Sequence, residues 1–504
     1  MFSWQTAIII SHRYLGIVIS LVFILWFASG VVIIYTGGMP SLTEDERLQH
    51  QPDLDLTQIR LTPRQAQLVS RSESNPKLLM IMGRPAYQFA GRQLRTVFAD
   101  DGTVLSSDMI SSRQIAADFL ATNVNLVERV GRIEEVDQWT IGLRGQLPLE
   151  KFSAGDKDGT EIYVSPERGQ VVLSTTKNDR ILAWLGAIPH WLYFVDLRKR
   201  TDLWTDTVIW LASLGTLLAT FGLILLFTQW RSVRPFRFSK AIPYQGLMRW
   251  HYLCGMLFGL ITLTWVFSGL LSMEPYAWTT ARGLAISREV FAGGDIELQA
   301  FAQLNNAQAQ RQLQRLAVGQ DIKEIEFKRI QGDHYYQVTI GSSDSHWGFE
   351  NILVSAQALQ LRRELFPTDY MTSRLQAAVS NFELVFSDVL DEYDNYYYSR
   401  PTAAGPVAPL PLLRVTFNDP AATRYYVDLK TSELVYQSHR LGRLKRWLYN
   451  GLHSLDFGFW YARRPLWDIV VIVLLLGGLM LCSIGCYLGI RRLLKNSKQM
   501  LGRS

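Results

Sequence analysis

Two histidines recur with their surroundings intact. Ser11-His12-Arg13-Tyr14-Leu15-Gly16 opens one apolar run, and Trp250-His251-Tyr252-Leu253-Cys254-Gly255 opens another 239 positions later. At that offset Trp26 meets Trp265, Ser29 meets Ser268 and Gly30 meets Gly269. A second match, at an offset of 263, aligns Pro148, Tyr163, Val164, Arg180, Trp184, His190, Arg200 and Trp204 with Pro411, Tyr426, Val427, Arg443, Trp447, His453, Arg463 and Trp467. Neutral imidazole is a good ligand for haem iron and other transition metals. Two imidazoles from facing helices can hold one metal-centred group, and bundle cores are where such groups are built. The duplication therefore predicts two metal or haem sites, His12 with His251 and His190 with His453. The alternative for His12 and His251 is a pair of helix-end caps at the lipid interface. For His190 and His453 it is an aromatic belt with Trp184, Trp191, Tyr193, Trp447 and Trp460, which explains the aromatics but not a histidine kept at one register in both copies.

Cations stand beside each pair. Arg13 and Arg249 flank the inner histidines, while Arg180 with Arg443, and Arg200 with Arg463, flank the outer ones. A guanidinium pairs bidentately with carboxylate, so these are candidate partners for the propionates of a haem; contact with anionic lipid is the competing role. Trp26 and Trp265 lie 14 residues into their helices, about 21 Å at 1.5 Å per residue, between the two predicted sites, where they either pack or bridge. Asp388, Asp391, Glu392 and Asp394, with Tyr393 and Tyr396 to Tyr398, offer hard oxygen ligands that could receive a ferric complex, or else form a solvated acidic loop.

These residues have to be positioned by a membrane bundle. Tyr14 to Thr36, Thr207 to Thr228 and Trp250 to Met273 carry no charged residue, and Leu466 to Ile490 carries only Asp468. Each is long enough to span a bilayer, which takes about 20 apolar residues. Arg231, Arg234, Arg237, Lys240 and Arg249 join the second and third spans without an acid, and Arg491, Arg492, Lys495, Lys498 and Arg503 follow the fourth. Cation-rich short segments stay in the cytoplasm, so both termini are expected there. The long segments are then expected outside, in the periplasm of a Gram-negative inner membrane. Those clusters with Arg13 exceed the whole net charge of +6, which therefore reports topology and argues against a nucleic-acid partner. The small residues Ala28-Ser29-Gly30 mimic a signal-peptide cleavage site, but the apolar run is too long for one.

The expected organisation is a first span in 1–37, an external domain in 38–203, a second span in 204–230, a cytoplasmic loop in 231–249, a third span in 250–274, a second external domain in 275–464, a fourth span in 465–490 and a tail in 491–504. Spans one and three run the same way, so the repeat is parallel and its axis lies along the membrane normal. Thr62-Pro63 reads as a helix start. Lys77 to Ala90 and Arg92 to Ala99 read as strands, Asp101-Gly102 as a turn, and Thr160 to Val164 with Gln170 to Leu173 as a hairpin echoed by Thr423 to Val427 with Glu433 to Tyr436. Asn381 to Pro411 looks like an insertion, acidic and Tyr-rich, then Pro/Ala-rich.

Several chemistries lack their motifs. Without Cys-x-x-Cys-His there is no covalent c-type haem. Without Gly-x-Gly-x-x-Gly after a strand there is no dinucleotide fingerprint, and the cytoplasmic segments are too short for a flavin domain. The histidines His50, His334, His346 and His439 show no zinc-ligand spacing. Cys254, Cys482 and Cys486 all fall inside spans, where small residues ease helix packing.

The His-x-x-x-Gly start of the first helix, the α/β modules, the Trp184-to-His190 and Trp447-to-His453 segments with a following arginine, and the duplication of the whole resemble the PepSY-associated transmembrane-helix family. The resemblance covers essentially the entire chain. It implies an α+β membrane protein with four transmembrane helices in a duplicated parallel repeat and two periplasmic PepSY-like α/β domains. The family includes inner-membrane ferric-siderophore reductases that hold haem. The function implied is a di-haem b-type reductase taking electrons from membrane quinol or a cytoplasmic reductase to a periplasmic ferric siderophore. A non-enzymatic accessory protein binding a periplasmic partner and a component of siderophore transport are the alternatives.

Overall fold

A computed structural model describes residues 3–91, 94–106, 109–232, 234, 237–279, 283–317, 319–343, 345, 348–379, 381–399 and 408–501. Arg92, His346, Arg503 and the 400–407 part of the Asn381 to Pro411 stretch lie outside them. The chain divides into a helical unit, 1–39 with 179–281 and 441–504, and an α/β unit, 40–178 with 282–440.

Four helices among the described residues are long and apolar enough to cross a membrane: Trp4–Thr36, Thr201–Thr228, Gly246–Ser272 and Leu466–Leu501. The Ile, Val and Phe in these runs are only middling helix formers in water. In hydrocarbon, helix is the form that satisfies every backbone group within one segment. The first helix starts where the Ser3 hydroxyl accepts from Thr6 N and stops at Gly37, whose left-handed φ of 71° returns its N–H to Ile33 O. The first and third helices each pack against the second and fourth. Small residues make the approach close: a Cβ on Gly215 would lie 2.7 Å from Phe23, and one on Gly489 2.8 Å from Ile17. Ile19, Phe23, Phe27, Trp265, Val266 and Leu475 fill the core.

Among the described residues the α/β unit holds three antiparallel sheets. Its first strands are β1 (Pro76–Ile81), β2 (Arg84–Phe89) and β3 (Arg95–Phe98), followed by β4 (Glu128–Ile133), β5 (Leu149–Ser153), β6 (Glu161–Ser165) and β7 (Gln170–Thr175). The later segment gives β8 (Ile322–Ile330), β9 (Asp333–Gly341), β10 (Phe349–Ser355), β11 (Leu361–Arg362), β12 (Leu384–Leu390), β13 (Leu412–Phe417), β14 (Arg424–Asp428) and β15 (Leu434–Ser438). One seven-stranded sheet has the order β11-β10-β9-β8-β1-β2-β3; the four-stranded sheets run β4-β5-β6-β7 and β12-β13-β14-β15.

That sheet order corrects the expectation of two separate external domains. β1 pairs with β8, Lys77 opposite Glu326 and Leu79 opposite Glu324, so the two segments complete one sheet. They also share a core in which Leu78, Tyr87 and Phe89 join Ile325, Phe327 and Tyr336. A boundary drawn from chain order could not anticipate strands 245 or more positions apart hydrogen-bonding edge to edge. Lys77 to Ala90 is likewise two strands, because Met82 and Gly83, both at positive φ, turn the chain back on itself. The supposed insertion supplies β12, which pairs with β13. The Thr62 capping box with Gln65 and the turn at Gly102 (φ 80°) form as read.

The β1–β8 junction is fastened by charge. Glu324 is buried and meets Arg47 at 2.8 Å and Lys77 at 2.7 Å; Glu326 meets Lys77 at 3.0 Å and Lys328 at 2.7 Å. Burial pushes the Glu326 carboxyl up, but Lys328 and Lys77 outweigh it and bring it down from 4.5 to about 2. A carboxyl depressed on folding contributes stability above its unfolded value and loses it as pH falls towards the folded one. Stability of the α/β unit should therefore fall between about pH 4.5 and about pH 2. Denaturant unfolding across that window should show a flatter pH slope for Glu326→Gln. An unchanged slope in that variant would assign the acid sensitivity to other groups.

Candidate cofactor sites in the helical bundle

His12 and His251 face one another from the first and third helices with ring centres 6.3 Å apart. The His12 Nδ1–H donates to Leu218 O at 3.1 Å, and the His251 Nδ1–H donates to Leu481 O at 3.3 Å. A carbonyl can only accept, so in each ring Nδ1 carries the proton and Nε2 is left as the basic nitrogen. A Cβ on Gly222 or Gly485 would lie 3.0 Å from the facing imidazole, so any larger residue there would press on the ring. Both histidines line a cavity of about 360 Å³ with Phe23, Tyr252, Cys482, Arg13 and Arg492.

The second pair has the same chemistry with a different support. His190 sits on the short helix Ala187–Trp191 and His453 on Leu452–Ser454, their ring centres 6.1 Å apart. The His190 Nδ1–H points at Trp26 O and Ser29 Oγ, both at 3.2 Å; His453 Nδ1–H points at Trp265 O and Ser268 Oγ, both at 3.1 Å. Ser29 gives its own hydrogen to Leu25 O and Ser268 gives its to Trp265 O, so both hydroxyls accept from the imidazoles. Gly30 and Gly269 leave room beside the rings. Two residues after each histidine the chain turns sharply, at Leu192 (φ 53°) and Leu455 (φ 48°). Trp204 and Trp467 hold those turns by donating Nε1–H to Trp191 O at 2.9 Å and Leu455 O at 3.1 Å.

The outer pair lines a cavity of about 300 Å³, walled by Trp26, Phe27, Tyr193, Trp265 and Tyr449. Phe23 lines both cavities. The indole N–H groups of Trp26 and Trp265 are buried there without an acceptor among the described residues. None of the four histidines has a hydrogen bond at Nε2 among those residues. An imidazole nitrogen sits about 2 Å from a transition metal, which puts two rings on opposite sides of one ion roughly 6 Å apart between centres. Both pairs have that spacing. Each is therefore suited to grip one metal-centred group from its two faces, with a backbone carbonyl on Nδ1 to orient the ring, as a ligating histidine usually has. Among the described residues no group of three or more His, Cys, Asp or Glu could hold a bare ion.

The other expected residues divide. Arg13 lines the inner cavity, but Arg249 does not. Arg249 precedes His251 by two positions, about 200° around the helix, and the register equivalent of Arg13 is Tyr252, which donates to Leu226 O. Arg180, Arg443, Arg200 and Arg463 do not line the outer cavity. Arg492 was missed because its equivalent at the 263 offset is Gln229, so the repeat gave no sign of it. Gly222 with Gly485, and Leu218 with Leu481, were available as signals, since each pair shares that offset with His190 and His453.

The acidic cluster is not an open ligand set. In the α/β unit Arg414 takes Asp388 in a fork at 2.9 and 2.6 Å and Asp394 at 2.7 Å. Asp391 and Glu392 are exposed. His334 accepts from Glu297 N, and His50 stacks on Phe119. Cys482 and Cys486 are buried in the bundle.

The family model described as PepSY-associated TM region matches residues 10–492. None of the curated proteins matches the chain.

Proposed function

The chain belongs to the PepSY-associated TM region family, and from that premise we propose that it is a di-haem b-type reductase delivering electrons to a ferric siderophore outside the membrane. The observation that carries this reading is the pair of matched histidine couples, at 6.3 and 6.1 Å, every Nδ1 spoken for by a carbonyl and every Nε2 left for a metal. The apolar walls and glycine-cleared rings favour a flat, largely apolar group over a bare ion. When bound, haem supplies reversible one-electron chemistry. The chain's own part is to ligate through His12, His251, His190 and His453, to fix their tautomers, and to exclude water with the bundle core. The chain carries no dinucleotide fingerprint, so its electrons come from a quinol or a separate cytoplasmic reductase. One quinol gives two electrons and two protons and so reduces two Fe(III) to two Fe(II).

We also infer a duplicated chain with both termini in the cytoplasm and the α/β unit in the periplasm. The repeated supports of the histidines favour the duplication, as does the β1–β8 pairing, since an antiparallel pair has a local two-fold. The cation-rich loop and tail favour the orientation. Pyridine-haemochrome analysis of the purified protein should give two haems b per folded chain. A folded chain free of haem would reject this reading in favour of an accessory protein that binds a partner.

A further inference from the structure

The two histidine couples are alike in spacing and unlike in what surrounds them. Arg13 and Arg492 line the inner cavity, and neither has a carboxylate partner among the described residues. No Arg or Lys among the described residues lines the outer cavity. The second difference lies in the imidazoles. Each inner Nδ1–H has one acceptor, a carbonyl. Each outer Nδ1–H has two, a carbonyl and the oxygen of Ser29 or Ser268.

Both differences act in the same direction. A cation near a redox centre in low dielectric disfavours the oxidised, more positive state and so raises its reduction potential. Acceptors on Nδ1–H make the imidazole more basic, which favours the oxidised metal and lowers the potential. We propose that the chain makes its two sites unequal: Arg13 and Arg492 anchor the carboxylates of the inner cofactor and hold it at the higher potential, while Ser29 and Ser268 tune the outer couple to be the stronger reductant. This rests on the di-haem reading. It places the more reducing centre on the side from which a ferric complex, a reluctant electron acceptor when tightly chelated, would be approached.

Spectroelectrochemical titration of the purified chain tests it, with His251→Ala and His453→Ala reporting the outer and inner sites alone. The outer site should titrate below the inner one. Arg13→Gln with Arg492→Gln should lower the inner midpoint and leave the outer one in place, by on the order of tenfold in the reduction equilibrium, about 59 mV for one electron. Ser29→Ala with Ser268→Ala should raise the outer midpoint alone. Ser29→Thr with Ser268→Thr, and Arg13→Lys with Arg492→Lys, keep hydroxyl and charge and should restore the wild-type values, which a purely structural role would not do. Two bound haems with the outer midpoint at or above the inner, or with midpoints indifferent to both sets of variants, would overturn the proposal while leaving the di-haem reading standing. A folded chain that binds no haem would overturn both.

Discussion

Alanine at His12 or at His251 should remove one haem of the two and leave the other spectrally intact, and alanine at His190 or His453 should remove the second. The pairing follows from position. His12 and His251 stand 6.3 Å apart across one cavity, His190 and His453 stand 6.1 Å apart across the other, and among the described residues no histidine lines both. Loss of one ligand leaves its partner facing an empty wall, and even outer-shell changes around a metal ligand typically cost about 10–100-fold in affinity. Haem content should therefore fall from two to one per chain in each single variant. The signature of pairing is identity: His12→Ala and His251→Ala should lose the same component in the difference spectrum and the redox titration. If His12→Ala instead matched His190→Ala, the couples would be wrongly drawn.

The histidine couples could be read from the sequence because the residues around them recur at fixed offsets. His12 and His251 share one offset and His190 and His453 another, each inside a run of matched residues. The four spans were legible for a plainer reason, since a bilayer leaves a long apolar run little alternative to helix. What failed to show were features without a repeat or without locality. Arg492 faces the inner cavity with only Gln229 as its register equivalent, and Arg249 misled because closeness to His251 in sequence is not closeness on a helix face. The β1–β8 pairing joins Leu78 to Ile325, and strand neighbours that distant leave no short-range trace. Asp388 and Asp394 looked like a ligand set because Arg414, which occupies both, lies 20 or more residues on. The Ser29-Gly30 and Ser268-Gly269 pairs were visible as repeats, but only the structure gives them work, as a hydroxyl acceptor and a space beside each outer imidazole.

The direction of electron flow gives the prediction with the widest reach. If the cation-rich loop and tail are cytoplasmic, His12 and His251 lie towards the donor, and His190 and His453 lie towards the outer face of the membrane. Phe23 lines both cavities and so stands between the two couples. An impermeant ferric chelate presented outside oriented vesicles should then be reduced by the intact chain when quinol is supplied. His453→Ala should reduce that rate by at least about tenfold, because the exit site has lost one of its two ligands. The inner haem should still be reduced by quinol or from the cytoplasmic face, so the variant separates entry from exit. His251→Ala should stop the same chelate reduction while leaving an outer haem that a chemical reductant added outside can still reach. Chelate reduction that persists in His453→Ala would mean that electrons leave by another route, and the α/β unit would then have to be assigned a role other than receiving the ferric substrate.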